Sequence, residues 1–312
     1  MLFCFSEIAL LIQNLPLKVA LTFPEEVAEW LVSAGYQCVI REFEVTFCSC
    51  IQIEKNGGIL MQLALVSIHS WRQSGSFAEL EICFQHVHEQ RHAGNKCVLI
   101  WEDYWLRSKE IVKSRLHAMM GISQKIPGRL TLARRIDKEI AAAFLEKNHL
   151  NGSVNTKFRF GLFLPKRYFR VLDKDFELNM ESEELLVAVA IFSYPRIFQK
   201  ENKPFKSFEL IRFGSLLQTN VVGGLDKLLH AFIHDREPDD IMTYADLDWS
   251  DGAGYAKLGF ENRGLKPPQA FYLNPKTMSR LSKGVNAEKF PDETSIEIFN
   301  MGSIKYVGYQ RF

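Results

Sequence analysis

The run Ser250-Asp251-Gly252-Ala253-Gly254-Tyr255-Ala256-Lys257-Leu258-Gly259-Phe260 decides how this chain is read. A strand, Asp240-Ile241-Met242-Thr243-Tyr244-Ala245-Asp246, precedes it, and a short helix is expected between Trp249 and Leu258. Further upstream, Phe208-Glu209-Leu210-Ile211-Arg212-Phe213 reads as another strand. It leads to Asn220-Val221-Val222-Gly223-Gly224-Leu225-Asp226-Lys227-Leu228-Leu229, where a loop with paired glycines gives way at once to a helix, Gly224 to His234. Backbone N–H groups at such a helix N-terminus suit a pyrophosphate, and glycines let phosphates come close to the backbone. A lone glycine pair before a helix is more often only a turn. The pair followed by the Tyr255 to Phe260 run says more than either alone.

The rest of the C-terminal part alternates strands and helices. A strand is expected at Leu130 to Ile136, a helix at Lys138 to Asn148, and a strand at Phe158 to Leu164. Leu185 to Phe192 is a continuous apolar run, the pattern of a buried strand. Phe271-Tyr272-Leu273 and a hairpin joining Ile296–Phe299 to Ile304–Gly308 are expected to close the chain.

The N-terminal part has its own order. Thr22 can cap a helix over Pro24 to Ala34, with proline in the first turn and Gly35 ending it. Gln37 to Phe47 reads as a strand, and Asn56-Gly57-Gly58 as the turn of a hairpin between Ile51–Ile53 and Ile59–Val66. Helical spacing spans Phe77 to Arg91, Cys97 to Trp101 is a short buried strand, and Tyr104 to Met119 is an amphipathic helix. Gly121 and Pro127-Gly128 bracket a connector. The expected domains are therefore residues 1–121 and 122–312, in keeping with about 150 residues per domain.

With these residues in view, the run Tyr-x-Lys-Leu-Gly-Phe after a strand and short helix resembles the last conserved block of GNAT-fold acyltransferases. The resemblance implies a C-terminal mixed sheet flanked by helices, an α+β or α/β fold, with an acyl-CoA such as acetyl-CoA as cofactor. It implies cofactor contacts at Val221, Val222, Gly223, Gly224 and Leu225, where the family's usual R/Q-x-x-G-x-G/A loop is replaced by Asn220 to Gly224. A narrower resemblance, to Mom-type DNA adenine-modification proteins of phages and relatives associated with phage endonucleases, runs through several segments. These are Phe144 to Ser153, Gly161 to Phe163, Leu186 to Arg196, Glu209 to Phe213, Tyr244 to Asp246 and Tyr255. It implies that His149, Arg212, Asp246 and Tyr255 form the site, although Leu150 stands where that family often has tyrosine. In the N-terminal part, the order of elements and the stretch Val98 to Leu116 resemble restriction-endonuclease-like folds of the very-short-patch-repair type. Such a nuclease needs an Asp and a Glu-x-Lys set to hold magnesium. Glu54-Lys55 is adjacent rather than spaced, and Glu79 and Glu81 fall in a helix, so an inactive docking module is expected.

Each site residue also has a plainer role. His149 can act as a helix C-terminal cation. Asp246 can cap the following helix or bridge to Arg212, and Tyr255 can simply pack. A buried arginine such as Arg212 needs a partner in either case. In acyl transfer, His149 or Asp246 would take the amine proton, Tyr255 would protonate the thiolate, and strand N–H groups would hold the oxyanion.

Composition narrows the field less. The chain has 312 residues, is 47% hydrophobic and 24% charged, and carries a net charge of +1, so no global charge points to nucleic acid. Local stretches Lys125–Lys138 and Lys157–Arg170 are basic and could meet phosphates, or could be solvated faces. The six cysteines lie in the first hundred residues without zinc spacing, which suits buried thiols in a reducing cytoplasm. Met1 to Leu21 lacks the features of a signal peptide, no apolar run is long enough for a membrane span, and disorder is expected only near Ser282 to Thr294. Three functions follow. They are an acyl transferase modifying nucleic acid, a non-catalytic nucleic-acid-binding protein of a mobile element, and a small-molecule N-acetyltransferase. Oligomeric state and metal requirement are open.

Overall fold

The computed structural model describes residues 21–174, 176, 181–282 and 294–309. Cys4, the apolar start before Leu21 and the interior of the Ser282–Thr294 stretch lie outside them. The chain forms two compact units. The first comprises residues up to Arg107 with Asp248–Ser250 and Pro268–Met301; the second comprises Ser108–Leu247, Asp251–Pro267 and the residues from Gly302 on. The expected boundary at 121/122 falls inside the second unit, and a C-terminal segment returns to the first.

In the first unit, helix α1 (Phe23–Ser33) opens on a capping box in which the Thr22 N–H and hydroxyl both donate to the Glu25 carboxylate. Strands β1 (Gln37–Glu42), β2 (Cys48–Lys55) and β3 (Gly58–Val66) form an antiparallel meander. The β2–β3 turn uses positive φ at Asn56 and Gly57, as a tight hairpin of this hand requires. Helices α2 (Ile68–Ser74) and α3 (Phe77–His92) follow, and β4 (Cys97–Trp101) then adds parallel to β3. The sheet order is β1-β2-β3-β4. Cys38, Cys48, Cys50, Cys83 and Cys97 are free and buried here.

Helix α4 (Glu102–Met120) loses helical geometry at Ser108, where the chain passes into the second unit. There follow β5 (Gln124–Pro127), β6 (Leu132–Arg135), α5 (Lys138–Asn148), β7 (Phe158–Pro165), β8 (Glu184–Phe192), β9 (Arg196–Lys200), β10 (Lys203–Ser215) and β11 (Thr219–Val222). Helix α6 (Gly224–Arg236), β12 (Asp240–Asp246), α7 (Ala253–Lys257) and β13 (Glu261–Lys266) come next. Strands β14 (Ala270–Leu273), β15 (Arg280–Ser282) and β16 (Ile296–Phe299) form a separate sheet in the first unit, and β17 (Ser303–Tyr309) ends the second.

The main sheet of the second unit runs β13-β17-β12-β10-β8-β7-β6, with β9 on β10. Among the described residues only β10 and β12 are parallel in it; the other pairs are antiparallel. Alternation along β8 divides the core. Ala188, Ala190 and Phe192 face α6 with Leu228 and Phe232, while Val189 and Ile191 face α5 with Phe144 and Leu145. Phe192 and Phe232 stack with ring centroids 3.8 Å apart, and Phe158, Phe160 and Phe208 meet Phe232 edge-on. A mixed sheet covered by helices on both faces is the architecture expected of the C-terminal part from the sequence.

One expected pairing is overturned. Residues 296–299 and 304–308 do not form a hairpin: β16 pairs with β14, and β17 pairs with β12 and β13. Gly302, at φ +90°, sits between them against the Lys266 and Pro267 backbone, where a Cβ would come within 2.3 Å of the Lys266 carbonyl. Two strands adjacent in sequence thus part to different sheets.

Within the first unit, Arg280 Nε and Nη2 donate to the two carboxylate oxygens of Asp103, at 2.6 and 2.7 Å. The guanidinium also lies 3.9 Å from the Tyr104 ring centroid. Asp103 is fully buried and the Arg280 side chain nearly so. Removing one partner of a buried pair strands the other charge, which costs more than the pair contributes net. Asp103→Ala is expected to cost about 3–5 kcal/mol, read as a lower urea midpoint; an unchanged midpoint would show that the pair is not needed.

Candidate active site

Strands β10 and β12 pair at three positions, Ser207↔Asp240, Phe208↔Ile241 and Glu209↔Met242. Beyond these they part. β10 continues to Ser215 on β8, with a bulge between Leu210 and Arg212, and β12 continues to Asp246 on β17. A bulge re-aims a strand and its side chains. Buried Thr243 on β12 donates its hydroxyl to the Leu210 carbonyl at 3.0 Å, which satisfies the first acceptor on β10 past the last paired position.

Tyr255 meets this opening from α7. Gly252, at φ +81°, caps α7, and a Cβ there would lie 2.3 Å from the Tyr306 ring. The Tyr306 hydroxyl donates to the Asp251 carbonyl, and Tyr306 and Phe260 pack on Tyr255 with centroids 5.7 and 5.9 Å away. The Tyr255 and Thr243 side chains share a hydrogen bond. Burial raises the Tyr255 pKa, against the opposing influences of Thr243 and the Arg115 guanidinium. The phenol is protonated at neutral pH and can donate.

His149 approaches from the other side. It caps α5, whose last residue, Asn148, accepts the Leu217 N–H at 2.7 Å and so holds the helix end on the segment after β10. Gly214 lies beside it: a Cβ there would make ordinary contact, 3.8 Å, with the His149 Cβ. The Asn151 N–H donates to His149 Nδ1 at 3.2 Å, so the neutral ring carries its hydrogen on Nε2. Burial first, then the charges of Arg115 and Arg212, lower the His149 pKa to about 3. His149 is therefore a neutral hydrogen-bond donor. The role of proton acceptor considered for it from the sequence is the less suitable one, since a base so weak holds few protons near pH 7.

The structure thus brings Arg212 and His149 together, and links Tyr255 to them through Arg115, a residue the sequence reading did not select. Asp246 lies half-buried at the end of β12, opposite Ser303. Arg115 lies in α4 among the positions of an amphipathic helix, where a cation is ordinarily solvated. Only the tertiary packing reveals it. Ser114 beside it accepts the Gln218 N–H at 2.8 Å, which anchors this helix to the turn after β10.

The glycine loop is braced from below. β11 pairs with β5, and Gly128 sits so close that a Cβ would be 2.6 Å from the Val222 carbonyl. Lys227 Nζ donates to the Gly128 carbonyl at 3.0 Å and also to that of Thr131. Gly223 takes φ +73° before α6, and the first helical bond runs from the Lys227 N–H to the Gly223 carbonyl. The N–H groups of Gly224, Leu225 and Asp226 precede it, and these are the groups a phosphate would use. Val221 is in the core and Val222 is 54% exposed, so of these two only the backbone or an outer side-chain face could serve a cofactor. Gly224 is buried against Val221 and Leu162, with a Cβ contact of 2.9 Å, so a side chain there would disturb the fold as well as any ligand.

The basic stretches are partly neutralised. Arg134 pairs with Glu184, Arg135 with Asp235, and Lys166 with Glu183. Among the described residues no group of three or more His, Cys, Asp or Glu could hold a metal, and no helix is long and apolar enough to cross a membrane.

Two solved acetyltransferase structures are similar. The first is the NatC complex bound to Gag peptide and CoA, at 9% identity and TM-score 0.32, covering 57% of this chain and 98% of that one. The second is described as histone acetyltransferase HPA2 and related acetyltransferase from Corynebacterium glutamicum ATCC 13032. It has 12% identity and TM-score 0.30, covering 57% of this chain and 94% of that one. No protein-family model and no curated protein matches the chain. The strand order and the parting of β10 from β12 are observations of this chain and stand apart from those overlaps.

The His149 environment gives a pH dependence. Its folded pKa, about 3, lies below the unfolded value of 6.5, so between these the unfolded chain binds the extra proton. Its contribution to stability is fully present above pH 6.5 and declines as pH falls toward 3, by at most about 1.4 kcal/mol per unit. His149→Gln, which cannot titrate, is expected to flatten this part of the stability curve in urea unfolding at several pH values. An equally steep curve in the variant would contradict the assignment.

Proposed function

We propose that the second unit is an acyl-group transferase that takes an acyl-CoA-type donor into the opening between β10 and β12 and passes the acyl group to an amine. The parting of the two parallel strands after Glu209 and Met242 carries this reading. An extended, amide-bearing donor arm can add to a strand edge by main-chain hydrogen bonds, with its phosphates at the braced N-terminus of α6.

In this reading the amine nitrogen forms a C–N bond to the thioester carbonyl carbon, and the C–S bond breaks. The phenol proton of Tyr255 goes to the leaving sulfur, and the ammonium proton goes to Asp246 or to water. Backbone N–H groups of β10 past the bulge stabilise the oxyanion. Acetyl is the simplest acyl group, in keeping with the fold's acetyltransferase neighbours. The finer proposal, supported by the sequence resemblance and by the basic stretches Lys125–Lys138 and Lys157–Arg170, is that the amine belongs to nucleic acid. Mass spectrometry of nucleosides from cells expressing the chain tests that part.

Thiol release from acetyl-CoA and longer acyl-CoA donors, with amines and nucleosides as acceptors, tests the reaction. Tyr255→Phe keeps the ring packing and removes the proton. It is expected to lower kcat by roughly 100-fold or more with little change in acyl-CoA affinity. No binding of any acyl-CoA by the folded wild type would end the proposal.

A further inference from the structure

We propose that Arg115, Arg212 and His149 form a recognition site for an anionic group, carboxylate or phosphate, carried by the accepting amine. The inference rests on the acyl-transfer reading for the word "accepting", but the anion site itself is independent of it.

Three donors come from elements tied to one segment: Arg115 from α4, next to the Ser114 that accepts the Gln218 N–H, Arg212 from β10 at its bulge, and His149 from the end of α5, next to the Asn148 that accepts the Leu217 N–H. The Nε atoms of both arginines are buried. Hydrogen bonding by Asn151 to Nδ1 leaves His149 presenting Nε2–H. Its ring is neutral, so it adds a donor without adding a third positive charge. Two guanidiniums held against one imidazole make a local positive potential, and planar guanidinium donors suit carboxylate and phosphate oxygens. Donors gathered in this way suit an anion.

The packing also separates this cluster from the donor's phosphates. Gly214 and His149 meet on the α5 face of the sheet, where Ala141, Phe144 and Leu145 pack. The glycine loop opens α6, and α6 packs on the other face, with Leu228 and Phe232 against Phe192. Arg115 also acts on Tyr255, which puts the cluster beside the phenol that serves the reacting sulfur rather than beside the loop. The bound anion would then set the amine at a fixed distance from the thioester, the kind of orientation that supplies much of a bimolecular rate.

Calorimetric titration of inorganic phosphate and of malonate into the wild type, Arg115→Gln and Arg115→Lys tests the site without any donor. The wild type is expected to bind at least one of them, Arg115→Gln to bind about tenfold or more weakly, and Arg115→Lys to recover part of the loss. Thermal melting of each variant establishes that it is folded, and Arg212→Gln serves as the second variant should Arg115→Gln fail to fold. In the transfer assay, amines with a carboxylate and nucleotides with a phosphate are run beside neutral amines. The anionic class that is preferred names the source, and its KM is expected to rise in Arg115→Gln with acetyl-CoA affinity unchanged. Anion binding without acyl-CoA binding would keep the site and end the transferase reading. Acyl-CoA binding with no anion binding, equal use of neutral amines, or an Arg115→Gln effect confined to acyl-CoA affinity would overturn the anion site.

Discussion

Much of the second unit depends on one constraint: β10 must stay on β8 through Ser215 while it leaves β12 after Glu209. The bulge between Leu210 and Arg212 makes this possible, and the Thr243 hydroxyl on the Leu210 carbonyl keeps the fork from leaving a buried acceptor unmet. Everything placed around the opening is tied to it. Asn148 holds the end of α5 against the segment after β10, Ser114 holds α4 to the same segment, and Tyr255 reaches Thr243 from the far side. A change at the fork would therefore move His149, Arg115 and Tyr255 together, although they lie on different elements.

The electrostatics follow from that geometry. His149 is kept neutral because its ring is desolvated and faces two guanidiniums, and Tyr255 is kept protonated by burial. Both side chains are consequently hydrogen-bond donors at neutral pH and suit oxygens that carry charge before or during reaction. The first unit contributes no comparable cluster among the described residues. Its buried Asp103 pairs with Arg280, on which the buried Asp248 also acts.

Local patterns were legible where the signal lies in neighbouring residues. The helix Lys138–Asn148 is found at its expected bounds, and Leu185–Phe192 is a buried strand because both its faces are covered, by α5 and α6. The strands β9 and β11 escaped notice. β9 is exposed along its whole length, so no apolar alternation marks it, and β11 is a four-residue strand defined only by its pairing with β5. The supposed hairpin of β16 and β17 failed for a related reason: strand pairing is non-local, and proximity in sequence says little once Gly302 redirects the chain. Of the candidate residues, His149, Arg212 and Tyr255 came from family likeness; Arg212 lies at the β10 bulge, His149 beside Gly214, and Tyr255 against Thr243. Arg115 could not be told from a solvated helix cation by spacing alone.

In the proposed reaction an acyl-CoA lies in the fork between β10 and β12. Hydrogen–deuterium exchange with and without coenzyme A tests it most directly, since exchange reports the backbone groups a ligand covers. Slower exchange is expected in peptides covering 209–216, 222–227 and 251–256, with the first unit unchanged. Coenzyme A that leaves those three segments unprotected, or protects a surface elsewhere, would contradict it.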